Sequence, residues 1–258
     1  MVHCFAIARL LGRPNAERMI DHGMEFVRKG HRDPVHGGYV WSVGKGSPGD
    51  DRKQAYGHAF VLLAASSAKV AGHPDADRLL ADVSEIIRTR FWDAKAGATR
   101  DEFNRDWSRI AGGYRGQNSN MHLTEATMAA FEATGDRTWL EMAESIANLI
   151  IRRHALACGG RVPEHFTEEW EIDRDYLGDP VFRPSGYTPG HWLEWTRLLL
   201  QLWELGGRKQ SWMPDAARLL FANAVKEGWD QARGGFLYTL NWQGRPQGMR
   251  RLFWPQAE

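Results

Sequence analysis

Two histidines of this 258-residue chain, each at the start of a predicted helix, are followed three residues later by a glutamate. The pairs are His122 with Glu125 and His191 with Glu194. On a helix, residues three apart lie on the same face, so each carboxylate can contact its histidine. Histidine exchanges protons near pH 7, and an adjacent carboxylate fixes the ring tautomer and raises its basicity. The two pairs therefore predict a site for acid–base catalysis.

Two other interpretations of these pairs remain open on the sequence alone. A histidine at the start of a helix can simply satisfy the helix end with a structural hydrogen bond. A metal ion could also bind, since His and Glu at positions i and i+3 can ligate one ion, but both pairs would have to converge. We predict neither a metal nor an organic cofactor.

Polar and aromatic residues near the histidines in sequence suit the binding of a hydroxylated ligand. Asn118 and Met121 lie just before the first paired histidine, where a polar loop becomes a helix, and the amide can read hydroxyl groups. Tyr56, in KQAYGH, and Trp254, in FWPQAE, are candidates for the rim of the pocket. Rim packing without ligand contact is the alternative for both aromatic residues.

The other histidines give weaker signals. Four lie in polar or charged surroundings and are expected at the surface: His31, His36, His73 and His154. Glu164 and His165, in the RVPEHF segment, receive no assignment.

Helical hairpins must position these residues, because apolar residues recur at three- and four-residue spacing along most of the chain. Four long helical segments each end at a glycine suited to C-terminal capping, and a second helical segment follows each one. The capping glycines, spaced by 60, 63 and 71 residues, are Gly12, Gly72, Gly135 and Gly206. His58, His122 and His191 fall 14, 13 and 15 residues before the last three, so they occupy equivalent positions. The spacing indicates an internal repeat of a helical hairpin used four times.

Glycine-rich loops with short aromatic, strand-like pieces follow each hairpin. Hairpins of this size either stack into an open solenoid or close into a ring. The inner helices are apolar nearly all round, as LLLQLW and FVLLAAS show, which favours burial inside a closed, double-walled barrel. We therefore predict an all-α chain that forms a single domain over residues 1–258.

Composition argues against several classes of partner. The net charge is +1, from 33 Lys and Arg against 32 Asp and Glu, and no run of like charges marks a nucleic-acid surface. No stretch approaches the roughly 20 apolar residues of a membrane span. Cys4 and Cys158 form no disulfide framework or metal-ligand pattern, so we expect a cytoplasmic protein. Twelve tryptophans favour a very aromatic core or a cleft that stacks ring-shaped ligands such as sugars.

Five segments spread over almost the whole chain resemble the N-acylglucosamine 2-epimerase superfamily, and within it the bacterial mannose or aldose–ketose isomerase branch. They are KQAYGHAF, YRGQNSNMHLTEA, RVPEHF, RPSGYTPGHWLEW and FWPQAE. The resemblance implies an (α/α)6 toroid, of which about four hairpins are present. It also implies that a hexose ring opens and that the proton on C2 is removed through a cis-enediol or enediolate.

The resemblance further implies roles for individual residues. His191 is one of two acid/base histidines, with Glu194 supporting it, and His122 hydrogen-bonds substrate oxygens near C1 and C2. The sugar pocket is lined by Tyr56, Asn118 and Trp254. Removal of a proton beside a carbonyl needs both a base and donors that stabilise the developing oxyanion, and these residues supply both kinds of group.

Two features of the family are absent from this sequence: an arginine just upstream of the first residue, and a second acid/base histidine after the last. We therefore expect the chain to lack the first helix and the last hairpins of the toroid, and to be weakly active or inactive in isolation. The expected partner is a monosaccharide, with mannose to fructose as the first choice of reaction and a homo-oligomer left open.

Two alternatives to the isomerase remain. One is a glycoside hydrolase or lyase on a similar toroid, which needs a pair of carboxylates such as Glu125 and Glu194. The other is a non-catalytic fragment that binds a sugar or a protein.

Overall fold

The structure of the protein, a computed structural model, describes residues 1–44 and 49–258. They form two compact units. The first comprises Met1–Gly113 and His122–Ala143, and the second comprises Tyr114–Met121 and Glu144–Glu258.

Four helical hairpins account for most of the helical structure that is described, as the glycine repeat predicts. They are α1 (Val2–Leu10) with α2 (Ala16–Phe26), α3 (Ala55–Val70) with α4 (Ala76–Ile86), α5 (Gln117–Thr134) with α6 (Arg137–Ala147), and α7 (Pro189–Leu205) with α8 (Trp212–Asn223). A short ninth helix, α9 (Phe253–Ala257), contains Pro255 in its first turn. Among the described residues, none of these helices combines the length and the apolar character needed to cross a bilayer.

Three of the four predicted capping glycines adopt the left-handed conformation that makes glycine useful after a helix. Gly12, Gly72 and Gly135 have φ angles of 70°, 78° and 72°. The fourth, Gly206, is the C-cap residue of α7, as predicted, but it has a φ of −74°, and the left-handed residue is the next one, Gly207, with a φ of 70°. The sequence offers two adjacent glycines here, and the chain turns at the second.

In the first unit, α3 is the central helix, because it packs against both α1 and α4. Its Leu62, Ala65 and Ala68 side chains are completely buried. Burial of a leucine side chain stabilises a fold by about 1.5–3 kcal/mol, so these contacts hold α3 firmly. The start of α3, which carries Tyr56, is thereby fixed.

In the second unit, α7 has the same role and packs against α8 and α9. Its most deeply buried side chains, all 0% exposed, are Trp192, Trp195, Leu198, Leu199 and Leu202. Pro189, with its fixed φ angle and missing N–H, suits the first turn of this helix. His191 follows two residues later and is held by the buried helix.

The second helix of every hairpin ends in a π-helical turn, which the sequence did not predict. These turns are Val27–His31, Ile87–Phe91, Asn148–Ala155 and Ala224–Gly228. Each carries at least one basic residue near its end.

Short antiparallel strand pairs lie in the loops, as expected. The strands are β1 (Lys53–Gln54), β2 (Trp92–Asp93), β3 (Ala98–Thr99), β4 (Glu102–Phe103), β5 (Arg115–Gly116) and β6 (His165–Phe166). In the first unit β1 pairs with β4 and β2 with β3; in the second, β5 pairs with β6, with Gly116 opposite His165. Because α5 begins directly after β5, this pairing fixes the start of α5 against the RVPEHF segment.

Candidate active site

His191 and Glu164 form a buried pair in the second unit. The Nδ1 atom of His191 lies 2.9 Å from Oε1 and 3.0 Å from Oε2 of Glu164. The two residues are only 7% and 3% exposed. An ionised carboxylate can only accept hydrogen bonds, so the Nδ1–H group of His191 donates to Glu164.

The pKa shifts of the two groups show that each stabilises the charged form of the other. Burial by itself lowers the pKa of His191, but the adjacent Glu164 carboxylate outweighs burial, and the pKa is raised. Burial likewise raises the pKa of Glu164, but the charge of His191 and its hydrogen bond outweigh it, and the pKa is lowered. Glu194, expected to support His191, adds a further electrostatic contribution that raises the histidine pKa. The hydrogen bond that fixes the ring belongs to Glu164, and the role of Glu194 stays a prediction.

The other ring nitrogen of His191, Nε2, has no hydrogen-bond partner among the described residues. With Nδ1 donating to Glu164, Nε2 carries the lone pair that can accept a proton. The neutral ring can therefore act as a base through Nε2.

The Trp254 ring packs against His191, with the ring centroids 5.0 Å apart and the planes inclined by 31°. A Cβ atom on Gly190 would come within 2.6 Å of the Trp254 ring, so the close approach requires glycine at this position. The Gln256 side chain anchors α9 by accepting a hydrogen bond from the Phe236 amide at 2.7 Å and donating to the Phe236 carbonyl at 2.9 Å. Two of the predicted site residues, His191 and Trp254, are thus brought together.

Gln117, the first residue of α5, contacts both members of the buried pair. Its Nε2 lies 3.0 Å from Oε2 of Glu164 and 2.9 Å from Nδ1 of His191. Its Oε1 accepts a hydrogen bond of 2.8 Å from Nε1 of Trp195. All four side chains belong to the second unit and are buried.

Asn118 and Met121, both predicted to bind substrate, differ in whether they have a group available to a ligand. The Oδ1 atom of Asn118 is buried and has no hydrogen-bond partner among the described residues. A buried acceptor left unsatisfied costs about 1–3 kcal/mol, which a ligand hydroxyl could recover. Met121 is 0% exposed and packs in the core, so ligand contact would require its neighbours to move. Its predicted role stays a prediction.

In the first unit, the structure brings Tyr56 and His122 together. Their ring centroids lie 4.9 Å apart in an edge-to-face arrangement, and Phe60 packs on the same imidazole at 4.8 Å. Nδ1 of His122 lies 3.9 Å from a carboxylate oxygen of Glu125, as the spacing of the pair predicts. A cavity of about 350 Å³ adjoins Tyr56, Phe60 and Trp41. This volume is within the range of small-molecule sites.

His58 shows what the structural alternative looks like at an equivalent position. Its Nδ1 donates to the Gln54 carbonyl at 2.7 Å, and its Nε2 accepts from the Tyr39 amide at 3.1 Å. Both ring nitrogens are therefore occupied by the backbone. Burial lowers the pKa of His58 to about 4, so the ring is neutral at pH 7.

His154, expected at the surface, is buried, and that prediction is wrong. It lies in the π-helical turn Asn148–Ala155, is 6% exposed, and packs against Phe166 with ring centroids 4.8 Å apart. Burial lowers its pKa to about 4. Its polar sequence neighbours indicated an exposed position. The π-helical turn that places the side chain in the interior was not predicted.

Two residues of the site were missed by the sequence analysis. Glu164, in the RVPEHF segment, received no predicted role. Gln117, in YRGQNSNMHLTEA, was not identified as a site residue. The signal that could have found them is the position of each beside a short strand, but the pairing of β5 with β6 is not visible in either segment alone.

The sequence model of the N-acylglucosamine 2-epimerase (GlcNAc 2-epimerase) family matches residues 1–258. The chain belongs to this family. The chain is 46% identical to a D-mannose isomerase of Pseudomonas cannabina pv. alisalensis and 43% identical to one of Thermobifida fusca. Each match covers the whole of this chain and 64% of the relative.

A crystal structure of a D-mannose isomerase is similar to this family member with a TM-score of 0.92 and 37% identity, over 99% of this chain and 66% of that chain. The likeness confirms the predicted fold class, the helical hairpins of an (α/α)6 toroid. The chain spans about two thirds of the length of these relatives.

Proposed function

We propose that the protein interconverts an aldose and a ketose, with D-mannose and D-fructose as the substrate pair. Membership of the N-acylglucosamine 2-epimerase family and the names of the two relatives support a sugar isomerase. The observation that carries the proposal is the buried His191–Glu164 pair, which leaves Nε2 of His191 available as a base beside the Trp254 ring.

In the proposed reaction, His191 transfers the proton that moves between C2 and C1 of the open-chain sugar. Nε2 takes the proton from C2 of mannose, and the electron pair of the C–H bond forms the double bond of a cis-enediolate. Glu164 stabilises the imidazolium that results. Return of a proton to C1 gives the ketose, whereas return to the other face of C2 would give the epimer.

The remaining predicted residues are proposed to bind the sugar or to support the base. Asn118 accepts a hydrogen bond from a sugar hydroxyl through its buried Oδ1, and Trp254 stacks on the ring. His122 hydrogen-bonds substrate oxygens near C1 and C2, and Tyr56 lines the pocket, as the resemblance implies. Met121 also lines the pocket, and Glu194 supports His191. No metal or organic cofactor takes part in this proposal. A cytoplasmic location and a homo-oligomer are proposed with it.

Proton NMR of D-mannose in deuterated buffer tests the proposal directly with the intact protein. We expect the C2 proton to exchange, fructose signals to appear, and both to fall at least 1,000-fold in His191→Gln, because the base is lost. His36→Gln, which changes an exposed histidine, is the matched control and should retain the activity of the native protein.

Other outcomes identify the rival functions. Exchange with glucose as the product would indicate a 2-epimerase. Sugar binding without exchange would indicate a non-catalytic protein, and release of reducing sugar from a disaccharide would indicate a glycoside hydrolase. Unchanged isomerisation by His191→Gln would contradict the role of the base.

A further inference from the structure

We propose that Gln117, oriented by Trp195, holds Glu164 as an ionised hydrogen-bond acceptor and thereby fixes His191 in the Nδ1–H tautomer. Gln117 and Trp195 are positioning residues, since they act through Glu164. The inference rests on the proposed function of the same site and adds two residues that family resemblance did not supply.

The Trp195 indole decides which way the Gln117 amide points. An indole N–H can donate a hydrogen bond but cannot accept one. The atom of Gln117 that lies 2.8 Å from it must therefore be the carbonyl oxygen. The amide nitrogen then faces Glu164, to which it donates; its 2.9 Å separation from Nδ1 of His191 is a contact between two donors when Nδ1 is protonated.

The orientation of this amide favours the ionised form of Glu164. The amide nitrogen of Gln117 lies 3.0 Å from Oε2 of Glu164. An amide nitrogen can only donate, so it donates a hydrogen bond to this oxygen. Hydrogen bonds to the charged form of a carboxyl group favour that form. In the reversed orientation, the amide oxygen would face the carboxylate oxygen, and Glu164 would have to take up a proton.

An ionised Glu164 in turn requires a proton on Nδ1 of His191. Both carboxylate oxygens lie within 3.0 Å of Nδ1, so an unprotonated Nδ1 would place its lone pair against negative charge. The proton of neutral His191 is therefore on Nδ1, and Nε2 is left as the base. The order of contacts runs from Trp195 to Gln117, then to Glu164 and His191.

The backbone holds this network in register. Gly116 and His165 are opposite each other in the β5–β6 pair, and the Gln117 amide donates to the Glu164 carbonyl at 3.1 Å. The backbone therefore holds Gln117 and Glu164 next to each other. Little conformational entropy is lost when their hydrogen bond forms.

The chain provides a matched pair of variants for the test. Trp192 and Trp195 are both 0% exposed and lie three residues apart on α7. Nε1 of Trp195 donates to Gln117, whereas Nε1 of Trp192 has no hydrogen-bond partner among the described residues. Trp→Phe at either position removes similar packing volume, but only Trp195→Phe removes the hydrogen bond.

The first measurement is ¹⁵N NMR of histidine-labelled protein without sugar, at a pH above the pKa of His191, with His191→Gln used to assign the signals. We expect the native protein and Trp192→Phe to show a protonated Nδ1 and an unprotonated Nε2. Trp195→Phe should show a mixture of tautomers, and Gln117→Glu, which places a second carboxyl beside Glu164, should do the same.

The second measurement is the pH profile of kcat/KM for mannose isomerisation. Loss of the oriented donor destabilises the ionised Glu164 and so favours proton uptake by the His191–Glu164 pair, which raises the pKa of the pair. The acid limb should therefore move to higher pH in Trp195→Phe, with kcat/KM about 10-fold below native, the smaller of the losses typical of such supporting hydrogen bonds. A purely structural effect would lower activity in both tryptophan variants without moving the limb.

A native-like tautomer and an unmoved limb in Trp195→Phe would overturn the inference. The NMR measurement needs no turnover, so it decides the inference even if the native protein fails to isomerise mannose and the proposed function is rejected.

Discussion

Gly190→Ala should separate the packing of Trp254 on His191 from every other feature of the site. A Cβ atom at position 190 would lie 2.6 Å and 2.7 Å from two atoms of the Trp254 ring and 2.9 Å from Pro255. Carbon atoms in contact are about 3.5–4.0 Å apart, so the ring must withdraw by roughly 1 Å. Overpacking of this kind costs about 1–3 kcal/mol. Displacement of a substrate-positioning group by about 1 Å can lower turnover by up to about 100-fold.

The assay is kcat/KM for mannose isomerisation, with urea unfolding of the same sample to measure stability. We expect kcat/KM to fall about 10- to 100-fold and the free energy of unfolding to fall, although alanine is the better helix former by about 1 kcal/mol. Gly57→Ala is the control, because a Cβ atom there meets Trp41 at an ordinary 3.6 Å. It should be equal to or more stable than native, with native activity. If Gly190→Ala matches this control in both measurements, the close packing of Trp254 on His191 is not needed.

Three further predictions concern buried charges and pH. Glu164→Gln should move the acid limb of kcat/KM to lower pH, because it removes the charge that raises the pKa of His191 and leaves burial, which lowers it. In urea unfolding, the stabilisation from this raised pKa is complete below the ordinary histidine value of about 6.5 and is lost as pH rises through the raised value, a dependence that the variant should lack. His58, with a pKa of about 4, should make the native protein less stable as pH falls from about 6.5 toward 4, since only the unfolded chain takes up the proton there, and unfolding of His58→Gln should lack this slope. Lys53→Met should cost about 3–5 kcal/mol in urea unfolding because it breaks a fully buried ion pair, whereas Arg105→Gln, whose side chain binds the same aspartate but is 45% exposed, should cost less than about 1 kcal/mol.

The fold was predictable from sequence to the extent that it depends on local periodicity. The four hairpins follow from apolar spacing and from glycines that tolerate positive φ angles, as at Gly72. The π-helical turns were not predictable, because one extra residue per turn leaves no distinct apolar pattern over segments of five to eight residues. His154 was misplaced for this reason.

The residues of the candidate site were likewise predictable only in part. His122 and His191 carried signals in their residue types and in their positions within the repeat, and Trp254 carried one in its residue type. Glu164 carried none, because its partner is 27 residues away and is reached through a strand pair of two residues. A contact that depends on tertiary pairing leaves no periodic trace in the sequence.

The environments of His58 and His191 show how little separates a structural histidine from a reactive one. At His58, the Tyr39 amide occupies Nε2, and the backbone turn that presents it contains Gly38, where a Cβ atom would come within 3.1 Å of the same nitrogen. At His191, Nδ1 is bound and Nε2 is left open. Both histidines lie at the start of equivalent helices, so the helix does not distinguish them. The loop beside each helix decides whether Nε2 of the imidazole is available to react. A protein built from repeated hairpins can therefore gain or lose a proton-transfer group in evolution by remodelling one surface loop, while its core stays unaltered.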